Sequence, residues 1–279
     1  RRRRRSRRRR RSRRRRRSRS RSRRRSRSLG LALTLTLALD ADPTRTLTRT
    51  LTHTKDNGGS VAALAGNGFC VIAADTRLRE GYSILARNAS RLLPLGDRGV
   101  VASAGCWADT ARLWRRLEAA ADEYTWEDGG AGGAMELEAV VQYLSHSLYQ
   151  RRSAPYYVQN VVGGICRDGS GAAYAYDPLG SCERVPVACA GAAKPLLQPI
   201  LDRLVITREG RLDPCIGAEE AVEKLAAAFR ATAERDITVG DELEVVLLQP
   251  AGEAAAAGAV RRRKDGVRLR RYRFQLRAD

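Results

Sequence analysis

The sequence predicts a mixed α and β domain that begins near residue 57 and continues to residue 279. Two patterns predict it. Short apolar runs, nearly continuous instead of strictly alternating, indicate strands that are buried on both faces. Longer stretches repeat apolar residues at every third or fourth position, which is typical of helices with one buried face. Strands, two helices, strands, two helices and a last strand follow in that order, so two groups of helices should cover the sheets.

Several apolar runs are the strand candidates. In chain order they are residues 60–64, 69–74, 100–104, 157–165, 172–176 and 243–248. Gly66-Asn67-Gly68 joins the first two, and its glycines tolerate the positive φ angles of a tight hairpin turn. Residues 167–171 (RDGSG) form a run of turn residues, so we expect a second hairpin between the fourth and fifth strands.

Three stretches have the periodicity of amphipathic helices. Their apolar stripes are Ala111, Trp114, Leu117, Ala121 and Tyr124; Leu137, Val141, Leu144 and Leu148; and Val222, Leu225, Phe229 and Ala233. A further short helix should follow Lys194, around residues 196–204. We interpret each stripe as packing against the core and predict no cofactor site in any of them.

Residues 1–56 are of low complexity. Residues 1–28 are 21 Arg and 7 Ser, and Leu, Ala and Thr repeats follow. Such a segment cannot bury enough apolar surface to offset the entropy of ordering it, so we predict a disordered tail over residues 1–56. When the 21 tail arginines are subtracted from the 52 basic residues, 31 remain against 31 acidic ones. The rest of the chain is therefore net neutral, which removes the compositional argument for a nucleic-acid-binding face.

The cysteines indicate a reducing compartment. Six cysteines are present, with only two histidines and no Cys-x-x-Cys pair, so neither a zinc site nor a disulfide scaffold is expected. Cys70 lies inside an apolar run, where a reduced cysteine acts as a small hydrophobe. No apolar run reaches the roughly eighteen residues of a membrane span. We therefore expect a protein of the cytoplasm and nucleus that has no membrane partner.

The opening hairpin, residues 58–77 (GGSVAALAGNGFCVIAADTR), resembles that of proteasome beta subunits, which are N-terminal nucleophile hydrolases. The resemblance extends from Asn57 to about Leu248. Further motifs that carry it are residues 151–164 (RRSAPYYVQNVVGG), 174–181 (YAYDPLGS), 196–202 (LLQPILD) and 233–236 (AERD). It implies an α+β fold of four layers, an α/β/β/α sandwich, which periodicity alone would not give.

The residues that match the family's active site depart from its pattern. Active members attack with a Thr at their own amino terminus, sixteen positions before the acid that Asp75 matches; here that position holds Gly59. Arg91 stands where the resemblance places a catalytic Lys, and Arg cannot exchange a proton as a tuned Lys can. Asp236 matches the distal acid, but Val239 and the segment Ala190-Gly191-Ala192-Ala193 lack the family's serines. We therefore expect no catalytic, cofactor-binding or metal-binding residue, and a turn-capping or charge-pairing role for the two retained acids.

The resemblance implies a non-catalytic beta subunit of the 20S core particle that supports ubiquitin-dependent protein degradation. Its expected partners are other beta subunits in a seven-membered ring, subunits of an alpha ring and the opposite beta ring. The first alternative is an active hydrolase in which cleavage after Gly59 would free Ser60 as nucleophile. That hydroxyl would lie one residue out of register with Asp75.

The second alternative is an RNA-associated protein with an Arg/Ser tail, since such repeats bind phosphate backbones and can be phosphorylated. Against it, the rest of the chain has no aromatic RNA-recognition motif and no net charge, and the commoner explanation of such a tail is a translated simple repeat upstream of the real start. The absence of an initiating Met suggests a fragment, a processed product or a faulty gene model. Arg261-Arg262-Arg263-Lys264 begins a charged carboxyl-terminal stretch. We interpret this stretch either as an edge hairpin that resists unwanted strand pairing or as an arm that reaches a neighbouring subunit.

Overall fold

The computed structural model describes residues 55–96, 98–127, 134–205, 216–250, 261–262 and 267–277. All of them belong to the unit of the chain that begins at Lys55. The tail predicted over residues 1–56 lies outside the described residues except for its last two. Its disorder therefore stays a prediction.

The structure contains strands and helices in the predicted alternation. The strands are β1 Ser60–Gly66, β2 Phe69–Asp75, β3 Leu78–Glu80, β4 Ser83–Ala86, β5 Leu92–Leu95, β6 Gly99–Gly105, β7 Val158–Ile165, β8 Gly171–Tyr176, β9 Cys182–Val185, β10 Val187–Gly191, β11 Glu242–Pro250, β12 Arg261–Arg262 and β13 Val267–Gln275. The helices are α1 Trp107–Glu127, α2 Leu137–Tyr149, α3 Lys194–Val205 and α4 Ala218–Ala233.

The strands form two large antiparallel sheets and one small hairpin. The first sheet has the order β10-β1-β2-β11-β13-β12, and the second has the order β5-β6-β7-β8-β9. The hairpin of β3 and β4 stands apart from both. In the first sheet β1 lies between β10 and β2, with Val61 opposite Ala190 on one side and Ala74 on the other. The amino-terminal end of β1 is thereby held between two neighbouring strands, β10 and β2.

Three apolar clusters separate four layers. Alternate residues of β1 point in opposite directions, so Val61 enters the cluster between the two sheets while Leu64 enters the cluster beneath α3 and α4. A third cluster joins the second sheet to α1 and α2, with Val162 packed among residues such as Leu113. The layers are therefore helices, sheet, sheet and helices, and the four-layer α/β/β/α sandwich expected from the resemblance is confirmed. Strands covered on both faces explain the continuous apolar runs.

The predicted elements are all present among the described residues. Strand bounds differ from the predicted ones by at most two residues, and the short helix predicted at residues 196–204 is α3. The sequence did not predict β3, β4, β5, β9 or β10, which are three to five residues long. In the charged carboxyl-terminal stretch, β12 pairs with β13 at the edge of the first sheet, as an edge hairpin requires. The residues between them, 263–266, lie outside the described part of the chain.

The cysteines of the described residues, five in number, are all free, and Cys215 lies outside that part of the chain. Cys70 shows why such a residue suits a core: burial raises the pKa of its thiol to about 12, so it stays protonated. Among the described helices, none has both the length and the apolar character that crossing a membrane demands.

Candidate functional site

The first hairpin brings Ser60 and Asp75 together. Antiparallel pairing of β1 with β2 sets Val61 opposite Ala74. Ser60, the first residue of β1, therefore lies beside Asp75, the last residue of β2. The backbone N–H of Ser60 donates a hydrogen bond of 2.7 Å to Oδ1 of Asp75, and both residues are fully buried. The retained acid therefore holds the start of β1 through a backbone amide.

Gly59 has no room for a side chain. A Cβ atom built on it would lie 2.6 Å from Nη1 of Arg91 and closer still to that guanidinium's Cζ and Nε. Its φ angle is +95°, a backbone conformation that L side chains rarely adopt. The guanidinium of Arg91 therefore occupies the volume in which the side chain of a nucleophile at position 59 would stand.

Arg91 is held in that place by backbone carbonyls. It is 1% exposed, and its Nη2 donates to the carbonyl oxygen of Arg77 at 2.7 Å and to that of Asn57 at 3.3 Å. Its Nε lies 3.6 Å from Oδ1 of Asp75, which is an ion pair too long for a good hydrogen bond. Nε, Nη1 and the second carboxylate oxygen of Asp75 have no hydrogen-bond partner among the described residues.

Burial dominates the electrostatics of this pair. Burial raises the pKa of Asp75 to about 6, although the charge of Arg91 and the Ser60 amide oppose the rise. Burial also lowers the pKa of Arg91, which Asp75 partly offsets. Arginine nevertheless stays protonated in proteins, so the carboxyl group of Asp75 is the member of the pair that can titrate.

The segment before β1 is built into the fold through Asn57, for which no role was predicted from the sequence. Its backbone N–H donates to Gly105 and its carbonyl accepts from the N–H of Arg79, both at 3.3 Å. Its side-chain amide donates to the carbonyl of Arg79 at 3.1 Å and accepts from the N–H of Trp107 at 2.9 Å. The last bond satisfies one of the free amides at the start of α1. An asparagine just before a Gly-Gly pair was the available signal.

Ser60, the alternative nucleophile, is already engaged. Its hydroxyl oxygen accepts a hydrogen bond of 3.1 Å from the N–H of Ala193, and the residue is fully buried. The preceding carbonyl, that of Gly59, accepts from the N–H of Ala192 at 3.0 Å. Both sides of the Gly59–Ser60 peptide bond are therefore held in the fold, the N–H of Ser60 by Asp75 and the carbonyl of Gly59 by Ala192.

Asp236 caps a turn instead of joining the Asp75 cluster. Its Oδ1 accepts the N–H of Thr238 at 2.8 Å, and its backbone carbonyl accepts the N–H of Val239 at 3.2 Å. No hydrogen bond or ion pair links it to Gly59, Ser60, Asp75 or Arg91 in the described structure. The turn-capping role expected from the sequence is therefore observed for this acid.

A second buried pair, which sequence reasoning missed, lies beside the first. Arg77 donates to both carboxylate oxygens of Asp241, at 2.8 and 3.3 Å, and to the carbonyls of Ile237 and Arg277. Arg87 forms a further ion pair with the same carboxylate. Asp241 has a φ angle of +66°, and its backbone exchanges hydrogen bonds with residues 276 and 277. This cluster ties the end of β13 to the exit of β2.

A cavity of about 240 Å³ opens beside Gly58 and Gly191. Its lining is mostly apolar, and two of its polar side chains already bond to the protein: Asp56 accepts the N–H of Gly58, and Gln159 accepts that of Gly191. Among the described residues, no group of three or more His, Cys, Asp or Glu could hold a metal ion. The site therefore offers backbone and packing contacts, and position 59 supplies no side-chain oxygen.

Comparison with known proteins agrees with this fold. A family described as "Proteasome subunit" matches residues 55–248. The Drosophila melanogaster protein "Proteasome subunit beta type-1" is 40% identical over 202 residues, which cover 71% of this chain and 85% of that protein. The Arabidopsis thaliana protein of the same name is 38% identical, covering 71% and 90%. The Danio rerio protein of that name is 37% identical, covering 70% and 82%. Neither alternative from the sequence, a Ser60 hydrolase or an RNA-associated protein, gains support.

Proposed function

We propose that this chain, which belongs to the proteasome subunit family, is a non-catalytic beta subunit of the 20S core particle. Family membership and the resemblance to beta type-1 subunits confirm the interpretation of the opening hairpin. The proposal adds that the chain contributes structure and does not cut peptides. Its role is to complete the wall of the chamber in which neighbouring subunits act.

One observation carries the proposal: the guanidinium of Arg91 fills the place of a side chain at Gly59. A nucleophile there would need a hydroxyl, and it would also need the space that Arg91 occupies. Loss of the hydroxyl and loss of the space are independent obstacles. Restoring a Thr at position 59 alone would therefore not recreate a working site.

The assembly follows from what a ring requires. Each subunit of a heterologous ring presents two different side surfaces, and the ring closes when the rotation per subunit is right. We place this chain at the beta-6 position of a seven-membered beta ring, in contact with an alpha ring and with the opposite beta ring. Its process is then ubiquitin-dependent protein degradation, in the cytoplasm and nucleus.

Isolation of the particle tests the structural role. Core particles purified through a tag on a different subunit should contain this chain in a fixed ratio to the other beta subunits, as measured by quantitative mass spectrometry. Migration of the chain in cell extracts as a small monomer, with none in the particle, would contradict the assignment. Amino-terminal sequencing of the same sample would locate the mature first residue.

A turnover assay tests the non-catalytic role. Particles carrying Ser60→Ala or Gly59→Ala in this subunit, and otherwise wild type, should cleave each fluorogenic peptide as fast as wild-type particles once incorporation is equal. Selective loss of one peptide activity in the Ser60→Ala particle would identify Ser60 as the nucleophile and reject the proposal.

A further inference from the structure

The loop of residues 150–157, which comes after α2 in the chain, lies along α1 on one outer face of the domain. At one end, Arg116 of α1 donates to the side chain of Gln150, the residue after α2. At the other end, the N–H of Tyr157 donates to Asp109 at 3.0 Å and its carbonyl accepts from Cys106 at 2.9 Å. Residues 150–157 therefore run antiparallel to the first turns of α1 and lie against them.

This arrangement gathers arginines from two segments. Arg112, Arg115 and Arg116 come from α1, and Arg151 and Arg152 come from the loop; we call these five residues the arginine ridge. Within the described parts of the chain, no carboxylate lies within 4.0 Å of any of the five guanidinium groups. The ridge thus carries five positive charges that form no direct ion pair within the described residues, although the chain outside the tail is net neutral. Like charges held close together are costly unless a partner neutralises them.

Aromatic rings accompany the ridge. The guanidinium of Arg151 lies 4.5 Å from the ring centroid of Tyr156, and that of Arg152 lies 4.9 Å from that of Tyr149. Tyr149 is 58% exposed and Tyr157 is 55% exposed. Stacking on a ring fixes a guanidinium in position, so less conformational entropy is lost when it binds a partner. Exposed Tyr beside Arg, without Lys, is the composition of energetically dominant residues in protein interfaces.

We propose that the arginine ridge, with Tyr149 and Tyr157, binds an acidic surface of a neighbouring subunit in the assembled particle. This inference rests on the proposed function, because only assembly supplies the neighbour. Charge complementarity specifies the partner: carboxylates that pair bidentately with the planar guanidinium groups. A protein partner is favoured over RNA because the chain outside the tail is net neutral and matches a family of proteasome subunits.

Charge reversal tests the ridge in the full chain. Arg112→Glu with Arg115→Glu changes two exposed side chains on a helix that tolerates Glu, so the fold should be kept. Incorporation of this variant into core particles, in competition with the wild-type chain, should fall by about tenfold or more. The matched control reverses two exposed arginines near the other helical layer, Arg203→Glu with Arg235→Glu, and should incorporate within about twofold of wild type.

The outcomes separate the two proposals. If wild-type chain is absent from the particle, the proposed function fails and the ridge loses its basis. If wild-type chain is present and the ridge variant enters equally well, only the ridge proposal is overturned. Equal losses for the ridge variant and the control would also overturn it, because they indicate a general effect of charge.

Cross-linking then identifies the partner's chemistry. Arg115→Lys and Arg152→Lys keep the positive charge and introduce amines that a carbodiimide couples directly to a touching carboxylate. Mass spectrometry of treated particles should find links from positions 115 and 152 to Asp or Glu of another subunit, and none from Arg203→Lys to that same surface. Links confined to this chain, or ridge-dependent ultraviolet cross-links to RNA, would overturn the proposal.

Discussion

Two buried arginine–aspartate pairs lie at the exit of β2, and they differ in how completely their polar atoms are satisfied. Arg77 donates two hydrogen bonds to Asp241, and Arg87 adds an ion pair to the same carboxylate. The guanidinium of Arg77 also donates to two backbone carbonyls. Asp75 and Arg91 approach only to 3.6 Å, and each keeps unpaired buried atoms. The first pair has the geometry that offsets the cost of burying charge, and the second does not.

The difference indicates what each pair does. The Arg77–Asp241 cluster joins three separate parts of the chain, so its energy stabilises the fold. The Asp75–Arg91 pair lies where the resemblance places the active site of N-terminal nucleophile hydrolases, and unsatisfied buried polar groups tend to persist at such places. We interpret it as the frame of a hydrolase site in which an arginine fills the space of the missing nucleophile. The following predictions test this contrast, from the largest expected effect to the smallest.

Removal of the Asp241 carboxylate should have the largest effect on stability. Asp241→Ala leaves Arg77 charged and buried without its partner, which costs about 3–5 kcal/mol in free energy of unfolding. Urea unfolding followed by tryptophan fluorescence measures it. Asp241→Asn, which tolerates the positive φ angle and keeps one acceptor, should cost less. The contrast between the pairs breaks down if Asp75→Asn proves as costly as Asp241→Asn.

A side chain at position 59 should also be strongly unfavourable. Gly59→Ala must displace the enclosed guanidinium of Arg91, and we expect a loss of about 2–4 kcal/mol in free energy of unfolding. Gly68→Ala is the control: its φ angle is +74°, but a Cβ atom there meets nothing within 4 Å. It should cost only about 1–2 kcal/mol. In an Arg91→Ala background the cost of Gly59→Ala should fall, and equal costs at positions 59 and 68 would reject the overlap.

The pKa of Asp75 predicts an unusual dependence on pH. Burial raises this pKa from 3.8 to about 6, so the folded state binds the proton more tightly than the unfolded state. Protonation of Asp75 therefore adds up to about 3 kcal/mol to the free energy of unfolding. This contribution is fully present below the unfolded pKa and is lost as the pH rises through about 6. Unfolding of wild type and of Asp75→Asn should therefore be compared between about pH 4 and pH 7. The difference in stability between them should favour wild type more at the acidic end; a flat or opposite trend would reject the raised pKa.

The smallest effect should come from the Ser60 hydroxyl. Ser60→Ala removes only the acceptor for the N–H of Ala193, so we expect a loss of about 1–3 kcal/mol. The bond from the Ser60 N–H to Asp75 is unaffected because the backbone supplies it. Peptide cleavage by particles carrying the variant should not change. A destabilisation as large as that of Asp241→Ala would show that the hydroxyl has a role the structure does not explain.

The sequence predicted the strands and helices better than the site. The runs around Val61 and Ile72 and the stripes around Leu117 and Leu225 follow from simple periodicity, because each element faces an apolar neighbour along its whole length. The two strands β3 and β4 escaped because elements of three or four partly exposed residues carry no such period. Short exposed strands depend on tertiary contacts more than on local pattern.

At the site, the sequence indicated which groups were missing but not what replaced them. Gly59 and Arg91 were identified because their spacing from Asp75 matches the active-site pattern of the family that the sequence resembles, and the loss of a hydroxyl followed directly. The overlap of the Arg91 guanidinium with the side-chain position of Gly59 could not be predicted in this way. It depends on how the residue before β5 packs against the residue before β1 in three dimensions. The buried bonds of Asn57 and the pairing of Arg77 with Asp241 likewise join residues far apart in sequence, 164 positions in the second case.

The central claim, that this subunit has no working nucleophile, is tested most directly by covalent labelling of intact particles. A peptide probe that reacts with amino-terminal hydroxyl nucleophiles should be applied in excess, and every subunit should then be analysed by intact-mass spectrometry. We predict that catalytic neighbours gain the mass of the probe while this chain remains unmodified. A probe adduct on this chain, mapped to Ser60 or to its mature first residue, would contradict the account.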